Sequence, residues 1–342
     1  MRSTPLSGVA VTEEALNLAA LIREIGRGPS GARDLPEQAA FELYSAMLDG
    51  LVPDLELGAI QIALRVKGEG PEEMSGFHRA LQSRVARLDP PRAAARPVVL
   101  PSYNGARRQA NLTPLLALLL KRCGVPVLIH GAPDAHGRVT TEAVLAALDI
   151  APCRDLPEAQ ARLDGEAIAY APIELLSPGL APLLATRKRI GLRSSAHSLA
   201  KLIDPFGGEA LRVVSVSHPD YLQRMGRFLR ATGARALLLR GTEGEPFANP
   251  KRRPRIEFFH DGEAEVLCEA ETGPIASLPV LPTAIDPACT AEWTRRVLAG
   301  EVPLPPPLLH ELGCCLYGSG RTAPIPEASV FAEPRALDFA AN

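Results

Sequence analysis

The chain lacks an apolar run of the roughly 18–20 residues that a membrane helix needs, although hydrophobic residues fill 46% of its 342 positions. It also lacks a signal-like opening. Met1-Arg2-Ser3-Thr4-Pro5 leads into polar sequence, so a cytoplasmic protein without a membrane partner is expected. Aromatics are scarce at 4%, which argues against base stacking as the main binding device. Six cysteines (Cys123, Cys153, Cys268, Cys289, Cys314, Cys315) show no C-x-x-C spacing, so neither a zinc site nor a disulfide framework is expected. His310 and Glu311 beside the Cys314-Cys315 pair do not complete a ligand set. No metal and no cofactor is expected from these residues.

What is present is a two-part pattern, a helical module followed by alternating strands and helices. Apolar residues at helical spacing predict helices over about 12–26, 36–48, 54–67 and 71–88. A Pro- and Ala-rich stretch, Asp89 to Pro97, marks a boundary in composition. Residues 1–90 therefore read as a helical domain and 91–342 as an α/β domain with a mostly parallel sheet. The strand-like runs are 98–101, 125–129, 167–170, 211–216 and 236–240, with weaker strand signals at Phe258 and Val266-Leu267-Cys268. Helices are expected over 113–123, 140–148, 175–203 in broken segments, 221–232 and 291–299, with an irregular tail from about Gly318.

The first strand, loop and helix carry the functional question. In open α/β sheets such a loop faces the ligand crevice. A phosphate cradle there wants several glycines, so that backbone N–H groups can close on the anion. The loop Ser102 to Asn111 has one, Gly105, and offers Arg107 and Arg108 instead. These two arginines either line the pocket or pair with acids. Glu243 and Glu245 read as loop acids.

Net charge is only −2, but its distribution is uneven. From Arg187 to Arg255 there are 15 Lys or Arg residues against five acids. The candidates for phosphate contact are Arg187, Lys188, Arg189, Arg193, Lys201, Arg224, Arg227, Lys251, Arg252, Arg253 and Arg255. Such a surplus suits an anionic partner, and a set of solvated helix faces is the other reading.

The run Ala63-Leu64-Arg65-Val66-Lys67-Gly68-Glu69-Gly70-Pro71-Glu72-Glu73 resembles a signature of the anthranilate phosphoribosyltransferase family, within glycosyl transferase family 3 and related to the pyrimidine nucleoside phosphorylases. Cys123 to Val127 with His130-Gly131, and Ile190 to Ser194 with Pro205, resemble it too. The resemblance spans about residues 12–320. It implies a small helical domain joined by helices from about 175–203, a large α/β domain, and a homodimer through the helical domains.

The active-site motifs depart from that family. Its Gly-Thr-Gly-Gly-Asp loop falls on Pro101-Ser102-Tyr103-Asn104-Gly105, and its Lys-His-Gly-Asn on Ile129-His130-Gly131-Ala132. Asn111 and Thr113 match residues downstream of the loop, and Arg187 falls on the arginine that contacts anthranilate. Its magnesium-carrying Asp-Glu pair is replaced around Glu245-Pro246-Phe247. Ser102, Asn104, Gly105, Arg107, Arg108, Asn111, Thr113 and His130 therefore read as a relic phosphate pocket, with His130 a structural hydrogen-bonding residue and no catalytic residue assigned. The loop Pro-Ser-Tyr-Asn-Gly-Ala-Arg-Arg is similar to the YbiB-type branch of the family. That resemblance implies a protein binding DNA or RNA without base specificity. The alternative is a glycosyltransferase using a phosphorylated sugar.

Overall fold

The computed structural model describes residues 16–321 apart from 29, 134–136 and 276. Four helices come first: α1 (Leu18–Ile25), α2 (Glu37–Leu48), α3 (Asp54–Lys67) and α4 (Pro71–Gln82). The expected start of the first helix, and the tail beyond 321, lie outside the described residues. In α3, Asp54 and Glu56 sit in the first turn and Arg65 and Lys67 in the last, each favoured by the helix dipole. The fourth helix stops at Gln82, six residues before the expected Leu88.

The family-like signature is an ion network around a buried carboxylate. Lys67 Nζ donates to Glu73 at 2.6 Å, to Asp34 at 2.5 Å and to the Gly68 carbonyl at 2.8 Å. Glu73 is fully buried and also accepts the N–H groups of Leu35 and Gly70. One carboxylate therefore closes the α3–α4 turn and holds the α1–α2 connection. Gly68 has φ +78°, a conformation that favours glycine, and the Arg224 guanidinium lies 2.7 Å from where a Cβ would stand.

The remaining chain is β1 (Val98–Ser102), α5 (Thr113–Arg122), β2 (Val127–Gly131), α6 (Thr141–Ala147), α7 (Leu156–Glu166), β3 (Ile168–Pro172), α8 (Ile173–Leu176), α9 (Leu180–Ala185), α10 (Arg187–Ile190), α11 (Ser195–Leu199), β4 (Leu211–Val216), α12 (Pro219–Ala231), β5 (Ala236–Arg240), β6 (Ile256–His260), β7 (Glu263–Cys268), α13 (Pro287–Leu298) and α14 (Pro306–Gly318). The sheet order is β3-β2-β1-β4-β5-β6-β7. The first five strands in that order are parallel, and β6 and β7 form an antiparallel hairpin at one edge. The fold is thus a small helical domain on a large α/β domain. The helix expected over 175–203 breaks at Ser177–Gly179 and again before α11; α9 packs on α2, and α11 on α3 and α4.

Two elements carry no clear sequence signal. Only Ala159 and Leu163 of α7 are buried, too narrow a stripe to show a period. By contrast α14 is buried nearly all round and opens on Pro306-Pro307, so its pattern reads as neither amphipathic nor loop. Within the sheet, side chains alternate between faces. Val99, Leu128, Val214 and Leu238 join the core beneath the helical domain, while Val98, Leu100, Val213 and Leu237 face α5 and α14.

Lys67→Met is expected to lower stability by about 3–5 kcal/mol, because it leaves the Glu73 carboxylate buried without its counter-charge. Urea denaturation near neutral pH measures this, and a loss within about 1 kcal/mol, as for an exposed pair, contradicts the network's role.

Candidate functional site

After β1 the chain winds outward through β2 and β3, then returns to place β4 on the other side of β1. That reversal opens a crevice at the carboxyl ends of β1 and β4, where ligands bind in sheets of this kind. The loop after β1 lies there. Its backbone N–H groups converge as a phosphate cradle would, but on the protein's own carboxylates.

Glu245 is fully buried. One of its oxygens accepts the N–H of Asn104 at 2.7 Å and of Gly105 at 2.9 Å. The other accepts the Ser102 hydroxyl, with the hydroxyls of Thr141 and Thr113 at 3.3 and 3.4 Å. Glu243 repeats the arrangement one step outward. Its Oε1 accepts three successive N–H groups, from Arg107 (3.1 Å), Arg108 (2.8 Å) and Gln109 (3.2 Å), and Arg138 stands 3.7 Å from its other oxygen. Glu243 has φ +53°, the left-handed region that a side chain disfavours. Its carboxylate in a nest of three amides is what holds it there.

The expected relic pocket is therefore assembled, but it is filled from within. Ser102, Asn104, Gly105 and Thr113 all bind Glu245, while Asn111 donates to the Thr141 hydroxyl and accepts the Thr113 N–H. Arg107 and Arg108 contribute backbone amides rather than charge, and their side chains point to solvent. His130 is fully buried and shares a 2.5 Å hydrogen bond with the Tyr103 hydroxyl. Burial pushes its ring down to about 3, so it is neutral. The reading of Glu243 and Glu245 as ordinary loop acids is corrected here: they are the occupants of the cradle.

Cations gather on the other side of the crevice. Lys201, expected on a basic surface, is buried instead, and its Nζ donates to the carbonyls of Ser215 (2.6 Å) and Gly244 (2.8 Å). Burial pushes this ammonium down to about 7, with Glu245 opposing and Arg193 adding to the fall. Arg193 is half-buried and pushed down to about 10, by burial first and then by Arg187, Arg138 and Arg65. His197 is pushed down to about 3 by burial and by Arg193, Arg187 and Lys201.

The outer candidates divide. Arg189 pairs with Asp54 at 2.7 Å, and Arg255 pairs with Glu257 and Glu269. Arg252 and Arg253 donate to the carbonyls of Gly273 and Glu269, and Lys251 is exposed. Lys188 is exposed and Arg187 half-buried. Arg224 and Arg227 are exposed on α12, beside a groove of about 590 Å³ that Gly68, Pro71 and Met74 of the helical domain also line.

The geometry does not fit the magnesium site that the family resemblance implies. The acids in its place point into N–H and O–H donors, and a buried ammonium stands near them, whereas magnesium needs free carboxylate oxygens. Nor does any group of three or more His, Cys, Asp or Glu among the described residues offer another metal site.

Comparison with known proteins gives a consistent picture. Residues 19–85 match the family described as glycosyl transferase family, helical bundle domain. The uncharacterized protein YbiB of Escherichia coli is 48% identical over 306 residues, covering 89% of this chain and 95% of that protein. An anthranilate phosphoribosyltransferase of Desulfitobacterium hafniense is 27% identical, covering 89% and 90%. The crystal structure of anthranilate phosphoribosyltransferase from Thermus thermophilus superposes with a TM-score of 0.70 at 23% identity, covering 89% of this chain and 91% of that one.

The buried ammonium gives a pH signature. Between about 7 and its ordinary 10.5, the unfolded chain still holds the Lys201 proton that the folded chain has released, so stability rises with pH across that window. Below about 7 both states hold the proton and the burial penalty is fully present. The melting-temperature difference between wild type and Lys201→Met is expected to grow in favour of wild type from about pH 7 to about pH 10. A difference that stays flat contradicts the burial.

Proposed function

The chain belongs to the family of the Escherichia coli protein YbiB, on the fold of anthranilate phosphoribosyltransferase, and from that premise we propose that it binds nucleic acid through phosphate contacts, without base readout and without phosphoribosyl transfer. The observation that carries this reading is the self-filled cradle. Glu245 and Glu243 take up the amides that a sugar pyrophosphate would need, and no acid pair is left for magnesium. The fold is thereby relieved of the family's chemistry, while positive charge remains at the crevice and along the groove beside α12. Phosphate neutralisation by spread arginines and lysines gives affinity without sequence preference, and needs neither stacking aromatics nor a metal.

A second reading, a transferase acting on a phosphorylated sugar, is the one that the named relatives favour. It requires Glu245 to leave its donors when substrate arrives. As a further part of the proposal, the protein is a homodimer through α3, whose Leu55 and Val66 are 81% and 69% exposed. Light scattering giving a monomer mass contradicts that part.

Titration of labelled single-stranded oligonucleotides of several sequences should give similar affinities that fall linearly on a log–log plot against salt. Charge reversal at Arg224 and Arg227 should weaken all sequences alike and reduce the salt slope by about 1–2. Absence of binding at low salt sinks the reading. Calorimetry with phosphoribosyl pyrophosphate and magnesium should show no heat, and a micromolar, magnesium-dependent heat favours the transferase instead.

A further inference from the structure

Next to the filled cradle lies an open recess of about 110 Å³, at the carboxyl ends of β1 and β4 and under the end of α3. Liquid water takes roughly 30 Å³ per molecule, so the recess has room for a few waters or one tetrahedral oxyanion. Its walls come from four parts of the chain: Arg65 on α3, Asn104 in the cradle loop, Arg193, Ser194 and Lys201 around α11, and His218 at the start of α12.

Three observations set it apart from an ordinary solvent crevice. First, the walls hold polar groups with nothing to bind. Asn104 is 1% exposed, and its side-chain Nδ2 has no hydrogen-bond partner. The Ser194 hydroxyl is likewise buried and unpartnered. Burying such groups costs free energy unless something pairs with them. Second, the charge is one-sided. Arg193 is crowded by Arg187, Arg138 and Arg65 with Glu245 opposing, Arg138 stands 3.7 Å from Glu243, and Glu69 is the one acid lining the recess among the described residues. Burial raises the Glu69 carboxyl, with hydrogen bonds and Arg224 opposing. Third, the donors are fixed in place. Lys201 is pinned by two carbonyls, and Asn104 packs against Gly244, whose φ of +88° and missing Cβ make room for it.

We propose that this recess binds one phosphate group, either orthophosphate or the terminal monoester of a 5′-phosphorylated oligonucleotide, with Arg193, Asn104 and Ser194 as donors and Lys201 as the charge beneath. The site is distinct from the amide cradle, which Glu245 keeps filled. An isolated dianion there pairs the orphaned donors and neutralises the crowded guanidiniums in a partly water-excluded setting, where charge-assisted bonds are strongest. Walls drawn from both the helical domain and the α/β domain mean that the bound group also ties the two together. The orthophosphate arm stands without the nucleic-acid reading, whereas the 5′-phosphate arm rests on it.

The test is calorimetry of the full chain with inorganic phosphate. It runs beside titration with one short single-stranded oligonucleotide carrying either a 5′-phosphate or a 5′-hydroxyl. Phosphate is expected to bind at millimolar concentration or tighter, and Arg193→Gln and Asn104→Ala are each expected to weaken it about tenfold or more. The melting temperature of each variant confirms that it is folded, and two variants guard against one misfolding. A 5′-phosphate preference of about tenfold that Arg193→Gln erases supports the site with a nucleic-acid end as ligand. Phosphate binding without that preference supports it with the free ion as ligand. No phosphate heat together with no 5′-phosphate preference overturns the proposal, as does phosphate binding unchanged in both folded variants. Oligonucleotides that still bind in that case leave the nucleic-acid reading standing. Loss of all oligonucleotide binding at low salt, with phosphate still bound, removes that reading and keeps the recess.

Discussion

The hydrogen bonds of the Glu245 carboxylate are the constraint on which the crevice depends. A carboxylate taken out of water costs several kcal/mol unless its lone pairs are filled. Here two backbone amides and the hydroxyls of Ser102, Thr113 and Thr141 fill them. The partners come from β1, the loop after it, α5 and α6, so one side chain fixes the mutual position of four segments. The same bonds work in reverse. Five donors converging on one point would be a costly void without an anion, and the chain supplies the anion itself. What reads as a phosphate cradle is thus a structural joint between the loops after β1 and β5.

That joint sets the electrostatics around it. Glu245 is the acid that supports the Lys201 ammonium, and it is also the acid that opposes the downward shift of Arg193. Glu245 thus faces two cations, with Arg65, Arg138 and Arg187 further out and Glu243 beside Arg138. The imbalance is local, because the molecule carries 37 basic and 39 acidic residues in all. An enzyme of this fold would balance such charge with substrate and metal. In this chain the acids at that place are turned inward onto N–H and O–H donors.

Much of the fold was legible in the sequence, and the reasons differ by element. The strands β1, β2, β4 and β5 are short apolar runs ended by turn residues, which is what parallel strands buried on both faces require. The signature around Lys67 and Glu73 was legible as a pattern, though not as an ion network around a buried carboxylate, because Asp34 and Leu35 reach it from far earlier in the chain. The loss of glycines from the cradle loop was also plain. What replaced the phosphate was hidden, since Glu245 stands 141 residues from Asn104 and has no local sign of burial. Lys201 misleads for the same reason. Its segment is basic, and only the tertiary carbonyls of Ser215 and Gly244 show that this cation belongs inside. The signal that could have pointed to it is its own neighbourhood, Leu199, Ala200, Leu202 and Ile203, all apolar and all buried.

The two functional readings differ in what they demand of Glu245. Transfer from a sugar pyrophosphate needs the cradle amides free, so the substrate must compete with an internal carboxylate that is already bonded to them. The competing group is tethered, its effective concentration is high, and its loop is held a second time by Glu243. Displacing it would leave a buried carboxylate without partners, a cost of several kcal/mol set against substrate binding. Binding a polyanion along the crevice and the α12 groove asks for none of this. It leaves the joint intact and does not call on the altered motif. The energetic question between the two readings is therefore whether a substrate can offset the cost of freeing Glu245.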